Sequence, residues 1–548
     1  MKRSFFSLLF SLIGLSVWAG PVTQSDIQKL AVALYAVTNH YVDTVSSEKM
    51  VDNAIIGVLE KLDPHSIYIS KSEVKKMNEP LEGSFEGIGV VFQMMEDTLL
   101  VIQTISGGPS EKVGIMAGDR FIMVNDSSIA GVKMQNTDIM KRLRGPKGTS
   151  VRVKVLRRGV KDLIEFKIVR DKIPIFSLDA AYMVDDEIGY IKINRFSSTT
   201  FAEYKAAFEK LKKKGMKSLI LDLQDNGGGY MSAAIELADE FLSEGKMIVY
   251  TEGVNQLKET HESTAKGDFE MGNLVVLVNE SSASASEIVS GAIQDWDRGV
   301  IIGRRTFAKG LVQKPVGLPD GAQIRLTVAR YYTPTGRCIQ RPYKENLKAY
   351  NKDLIERYNH GELMHEDSIA FPDSLRYETL ILKRSVYGGG GIMPDLFIPL
   401  DTTKYTDYHR NIVAKGVLNK FVLNYLDQER KSLGRTYPTD KDKSEKSFEK
   451  FEKEFIVSDK LIDDLVKEGE KEGVKLDSAQ LSVSKDLIKL QIKAMLARDL
   501  WDTSEYYQIM NGENPIFNKG VEVLKSTSLY KSCFEDRKKG ANSKKGSK

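Results

Sequence analysis

The sequence predicts an α/β multidomain fold: a β-rich domain placed before an α/β core, with helical regions at both ends. Three observations carry this. Between 171 and 400, buried-strand runs such as 219–223 and 300–303 alternate with helical patterns such as 231–242, as in an α/β core. From 83 to 170 the period shortens to strands broken by glycine and proline turns. Outside these limits, 24–62 and the region after 403 are charged and amphipathic, with helical spacing.

Length and composition fit that reading. A chain of 548 residues with 41% hydrophobic and 28% charged content forms several globular domains. The net charge is only +4, and 537–548 alone carries six basic residues and no acidic one, so the body is near neutral. A general nucleic-acid surface is excluded on that ground.

Taken in order, the first element is a secretory leader over 1–19. Lys2 and Arg3 precede an apolar run over 5–17, and Val17-Trp18-Ala19 reads as a cleavage site. The run is short for a membrane span, so the mature chain is expected to be soluble, in the periplasm or otherwise outside the cytoplasm. A helical arm follows over 20–82, with Ile27, Leu30, Ala31, Leu34 and Val37 on one face. The turn Leu62-Asp63-Pro64-His65-Ser66 closes its second helix.

The β-rich domain spans 83–170. It opens on Gly87-Ile88-Gly89-Val90, turns at Gly107-Gly108-Pro109, and ends on an alternating strand at 151–155. Its order resembles a PDZ domain, which adds a peptide strand to a sheet edge and holds the peptide's terminal carboxylate on loop amides. The resemblance makes Gly87, Ile88, Gly89 and Val90 that loop, and glycine suits a backbone that must approach an anion. The core occupies 171–400, a C-terminal helical domain 401–535, and a basic tail expected to be disordered 536–548. Cys338 and Cys533 are the only cysteines and form no disulfide framework.

The chemistry is concentrated in the core. The apolar run 274–278 leads into Asn279-Glu280-Ser281-Ser282-Ala283-Ser284-Ala285-Ser286-Glu287, where helical spacing begins. A serine at such a junction sits over free N–H groups and the positive end of the helix dipole, as a nucleophile requires. None of the six histidines lies at an obvious strand end, and there is no G-x-S-x-G elbow. Lys309, among Phe307, Leu311 and Val312, is a candidate base if burial keeps its amine neutral. Gln313 could hold that amine without adding charge. Gly227-Gly228-Gly229, between a strand and a helix, offers free amides for an oxyanion, and the amide of Ala285 is a second donor. No metal-ligand pattern appears: His360 and His365 are not an H-E-x-x-H pair. No cofactor is expected.

Together, Asp222-Leu223-x-x-Asn226-Gly227-Gly228-Gly229, Ala283-Ser284-Ala285-Ser286-Glu287, Lys309-Gly310-x-Val312-Gln313, Tyr331-Tyr332-Thr333-Pro334-Thr335-Gly336-Arg337 and Gly389-Gly390-Gly391-Ile392-Met393-Pro394-Asp395 closely resemble the C-terminal processing, or tail-specific, peptidases over about 40–400. The resemblance implies a crotonase-like serine protease core with an inserted PDZ domain. It implies Ser284 as nucleophile, Lys309 as general base, Gln313 as the residue positioning it, and Gly228 and Ala285 as the oxyanion hole. It further implies an exported serine endopeptidase acting near protein C-termini, whose partners are proteins or peptides with accessible C-termini. A homo-oligomer or an adaptor protein is left open. Three positions depart from the family pattern: Gln224 for an arginine, Ser281-Ser282 for Gly-Thr, and Ala308 for a glycine. A non-proteolytic adaptor and a lipid-binding relative of the same fold are the alternatives, and an intact Ser284, Lys309 and Gln313 argue against both.

Overall fold

The computed structural model describes residues 22–343, 347–439 and 444–535. The leader over 1–19 and the basic tail over 536–548 lie outside the described residues.

The core is a six-stranded sheet in the order Leu178–Met183, Ile188–Ile193, Ser218–Asp222, Asn273–Val278, Val300–Gly303, Leu396–Phe397. The first pair is antiparallel and the rest are parallel. Parallel strands are covered on both faces, which explains the unbroken apolar runs that mark them in the sequence. Leu219, Leu221, Val276, Val278 and Ile301 face one cluster, with Leu211, Leu237, Ile288 and Val289 from the helices Thr200–Lys213, Met231–Asp239 and Ala285–Asp295. Tyr190, Ile220, Val275, Leu277 and Ile302 face the opposite way, onto Ile516, Phe517 and Val523 of the helix Pro515–Lys525. The C-terminal helices therefore divide. Those over 407–510 build their own cluster around Phe421, Leu426, Phe451, Leu465 and Ile492, and the last ones complete the α/β core.

A second sheet packs on the helices Met231–Asp239 and Ala285–Asp295 through its strand Met247–Gly253. It runs Ile67–Ile69, Gln323–Tyr332, Met247–Gly253, Gln256–Glu262, with Leu311–Gly317 also paired to Gln323–Tyr332. Through Ile67–Ile69, whose Ile67 is opposite Arg325, the N-terminal region becomes part of the core.

The PDZ sheet orders Val90–Met95, Thr98–Thr104, Arg120–Val124, Ser150–Leu156 and Ile164–Val169, with the helix Asn136–Leu143 burying Ile139 and Leu143 against it. The chain enters and leaves this domain through paired strands, Ser84–Gly87 and Asp171–Pro174. Its outer face is covered by the helix Val417–Thr436. Leu423 packs on Met95, Leu100 and Ile102, Asn419 donates to Gln93 Oε1 at 2.7 Å, and Asp427 pairs with Arg120 at 3.3 Å. Positions 419, 423 and 427 are four apart and so form one stripe of that helix.

The arm helix Gln24–His40 opens on a Thr23–Asp26 capping box and has no buried residue. Its apolar face, including Ile27 and Leu30, is exposed.

Candidate active site

The strand Asn273–Val278 delivers the chain to Ser284, the N-cap residue of the helix Ala285–Asp295. Ser284 has φ +56° and ψ −109°, a conformation L-residues rarely adopt, and it is half-buried. The neighbouring hydroxyls are committed elsewhere. Ser282 donates to the Leu223 carbonyl at 2.7 Å and Ser286 to the Asn226 carbonyl at 2.9 Å, and both are fully buried. Ser286 thus ties the helix to the glycine loop.

Glu287 holds the site together. Its Oε2 accepts from Ser284 N at 2.8 Å and Lys309 N at 2.9 Å, and its Oε1 from Ala308 N at 2.7 Å and Thr306 Oγ1 at 2.5 Å. The carboxylate is completely buried. Burial pushes its pKa up, and these donors oppose the rise. Tyr331, also buried, adds a second bridge: its hydroxyl lies 3.1 Å from the Ser284 carbonyl and 2.8 Å from that of Lys309. Ala308 has φ +72°, which accounts for the glycine that the family pattern prefers there.

Replacing Glu287 by Gln keeps the shape but puts an NH2 group against at least one of these N–H donors, that of Ala308 when the amide takes its less costly orientation. We expect a loss of about 1–3 kcal/mol of stability, the cost of one orphaned buried donor, read from urea unfolding.

Lys309 is half-buried, and its Nζ donates to Gln313 Oε1 at 3.0 Å. Burial draws the Lys309 pKa below the usual lysine value. Glu287 and Asp63 pull it back up, and Arg325 adds to the depression. Ser284, Lys309 and Gln313 line one cavity of about 450 Å³ with Gly227, Gly228, Gly229, Ala285 and Tyr331. Asn78 and Leu81 of the helix Lys71–Glu82 form the opposite wall, and Asn78 Oδ1 accepts from Arg325 at 2.9 Å. In this arrangement the Lys309 amine bonds Gln313 and not Ser284 Oγ. Such contacts commonly tighten only when substrate binds.

The glycine loop lies directly on the serine. A Cβ at Gly228, which has φ +99°, would fall 2.8 Å from the Ala283 carbonyl and 2.9 Å from Ser284 Cβ. At Gly229 it would meet the Phe196 carbonyl at 1.9 Å, so both positions require glycine. The Gly228 N–H donates to Asn226 Oδ1 at 2.9 Å, while Asn226 Nδ2 is anchored on the Ile193 carbonyl. The Ala285 N–H belongs to the first helical turn, where amides have no partner within the helix.

The PDZ loop is placed between the stalk strand Ser84–Gly87 and Val90–Met95. Gly87, Ile88 and Gly89 are buried and Val90 is half-buried. Ser110 donates to the Ile88 carbonyl and Ile105 N to that of Gly89, so the loop's carbonyls are held by the domain itself.

The structure brings Ser284, Lys309, Gln313, Gly228 and Ala285 into one cavity and leaves the PDZ loop outside it. Sequence reasoning gave no role to Glu287, Tyr331, Asn226, Asp63 or His65. The first three lie inside motifs already quoted; for the last two the only signal was a turn ending a helix.

A serine at a strained strand–helix junction, sharing a cavity with a half-buried lysine and with a PDZ domain in the same chain, defines a serine-type endopeptidase. Comparison with known proteins specifies which. Residues 187–346 match peptidase family S41, 87–168 a PDZ domain, 18–73 the activating protease CtpB N-terminal domain, and 408–502 a family of unknown function. The chain is 35% identical over 357 residues to the carboxy-terminal-processing protease of Bartonella bacilliformis, covering 62% of this chain and 81% of the relative. It is 36% identical over 335 residues to the carboxy-terminal processing protease CtpA of Bacillus subtilis, covering 61% and 70%. To CtpB of the same organism it is 33% identical over 320 residues, covering 58% and 66%. The chain belongs to the carboxy-terminal processing proteases of peptidase family S41.

Proposed function

We propose that this endopeptidase cleaves proteins near their C-termini with a Ser284/Lys309 dyad, fed by a PDZ domain that captures the substrate's terminal carboxylate. The observation that carries the reading is the half-buried Lys309, its pKa depressed, bonded to the neutral Gln313 in the cavity that holds Ser284. A neutral lysine takes the serine proton, and the alkoxide attacks the scissile carbonyl. Gln313 accepts one amine N–H and leaves the lone pair for that proton. The developing oxyanion is met by the Ala285 amide and by Gly228 once its N–H turns from Asn226 Oδ1. The loop Gly87-Ile88-Gly89-Val90 recruits the terminus on its amides.

The limits 20–82, 83–170, 171–400 and 401–535 divide the chain into arm, PDZ domain, protease core and C-terminal helices. The leader over 1–19 directs export, and the mature enzyme works in the periplasm or elsewhere outside the cytoplasm. No helix among the described residues is long and apolar enough to cross a membrane.

Cleavage of an unstructured peptide by the purified chain, beside its Ser284→Ala variant, tests the dyad. Comparing a free-acid peptide with its C-terminal amide tests capture. Loop amides gain from an anion and little from a neutral amide, so the free acid is expected to be cleaved faster at sub-saturating concentration. Equal rates would remove recognition of the terminus from the reading.

A further inference from the structure

A group that holds Gln313 from behind comes from outside the protease core. Gln313 Nε2 donates to the His65 carbonyl at 2.6 Å. This contact decides the chemistry of the amide's other end. A glutamine amide has one end that accepts and one that donates, and the two have nearly the same shape. A backbone carbonyl can only accept, so the end facing His65 must be the NH2. Oε1 is thereby turned to Lys309, 3.0 Å from Nζ. Were the amide reversed, its NH2 would point at the lysine and compete for the lone pair that a base needs.

The His65 carbonyl is itself fixed. Asp63 Oδ1 accepts from His65 N at 2.7 Å, Ser66 N at 2.8 Å and Thr327 Oγ1 at 3.1 Å, and Asp63 Oδ2 accepts from Ser66 Oγ at 2.5 Å. Ser66 Oγ in turn accepts from Thr327 N at 3.1 Å, which locks the turn to the strand Gln323–Tyr332. Asp63 and Ser66 are both buried. The imidazole is pinned on the far side, with Nε2 2.7 Å from the Tyr350 hydroxyl and its ring edge-on to the tyrosine.

We infer that the turn Asp63-Pro64-His65-Ser66 is a positioning element for the general base: it selects the orientation of the Gln313 amide and so holds one Lys309 N–H away from the reacting serine. This rests on the reading of Lys309 as base. The charged groups acting on Lys309 are Glu287 from the nucleophile helix, Asp63 from the turn and Arg325 from the strand behind it. His65 adds none at neutral pH: burial first, then the Lys309 and Arg341 charges, hold its pKa at about 4, against the pull of Asp63.

The test is a double-mutant cycle between the turn and the glutamine, read as kcat and KM on an unstructured peptide across pH. Ser66→Ala removes the hydroxyl that links Asp63 Oδ2 to Thr327 N and leaves every charge in place. It is expected to lower kcat about 10- to 100-fold, the size of a misplaced catalytic group, with KM little changed. Ser66→Thr, which keeps a hydroxyl, is expected to restore most of the rate. In a Gln313→Ala background, Ser66→Ala is expected to cost little more, because the turn acts through an amide no longer present. Asp63→Asn gives a second entry to the cycle should Ser66→Ala fail to fold. Removing that negative charge is also expected to move the alkaline rise in activity to lower pH. Full additivity of the Ser66 and Gln313 effects, or a change confined to KM, overturns the inference. Activity that survives Ser284→Ala overturns the dyad and this inference with it; activity lost in Ser284→Ala beside an additive cycle overturns the inference alone.

Discussion

Ser284→Ala is expected to abolish peptide-bond hydrolysis while leaving the chain folded. Removing a serine nucleophile costs on the order of a millionfold in kcat, and what remains comes from substrate binding and oxyanion donors. No neighbouring hydroxyl can substitute. Ser282 and Ser286 are fully buried and donate to the carbonyls of Leu223 and Asn226, one holding the loop and the other the helix. The contacts that shape the site use the backbone of residue 284, whose N–H bonds Glu287 and whose carbonyl meets Tyr331, so alanine preserves them. The loss in stability is at most about 1–2 kcal/mol, the range for a helix N-cap. Peptide cleavage measured beside thermal unfolding checks both parts. Activity near wild type in a folded variant would transfer the nucleophile to another residue.

Lys309→Arg is expected to be as damaging as Lys309→Ala. Arginine keeps the charge and length, yet its guanidinium stays protonated at any usable pH and cannot take the serine proton. In the wild type, activity is expected to rise with pH as the amine loses its proton. Because burial lowers the Lys309 pKa, the rise comes below the range of an exposed lysine. The sign follows from the neutral amine being the active form: lowering the pKa enlarges the active fraction at any pH beneath the transition. A pH–rate profile of kcat/KM, with both variants alongside, checks it. An arginine enzyme that cleaves well would end the serine–lysine mechanism.

Much of this site could be read from local pattern because each part was announced by residues next to it. The run Leu274–Val278 reads as a buried strand, the small hydroxyl residues after it as a helix start, and the triple glycine as a loop under constraint. Gly228 and Gly229 admit no Cβ, so their identity is dictated by the packing and is visible in the sequence. What stayed hidden are contacts between distant segments. Nothing about Asp63 or His65 suggests a partner at Gln313; strand pairing of Ile67 with Arg325 brings them together. Glu287 looked like any acidic residue in a first helical turn, a position favoured by the dipole, and only the fold shows that it binds both Ser284 and Lys309. The division of the C-terminal helices was equally silent. The apolar stripe of Pro515–Lys525 does not say which surface it covers, and the structure places it on the protease sheet.

The stripe Asn419, Leu423, Asp427 bears on how far the enzyme can be shortened. The matches to the peptidase family and the PDZ domain stop at residue 346, which invites a minimal fragment ending near 400. Such a fragment would expose Met95, Leu100 and Ile102 on one side, and Tyr190, Ile220, Val275 and Leu277 on the other. Bare apolar surface of that kind drives aggregation. The last quarter of the chain thus shields apolar surface of the rest, and a fragment that keeps the chain through residue 535 is the one that leaves both patches covered.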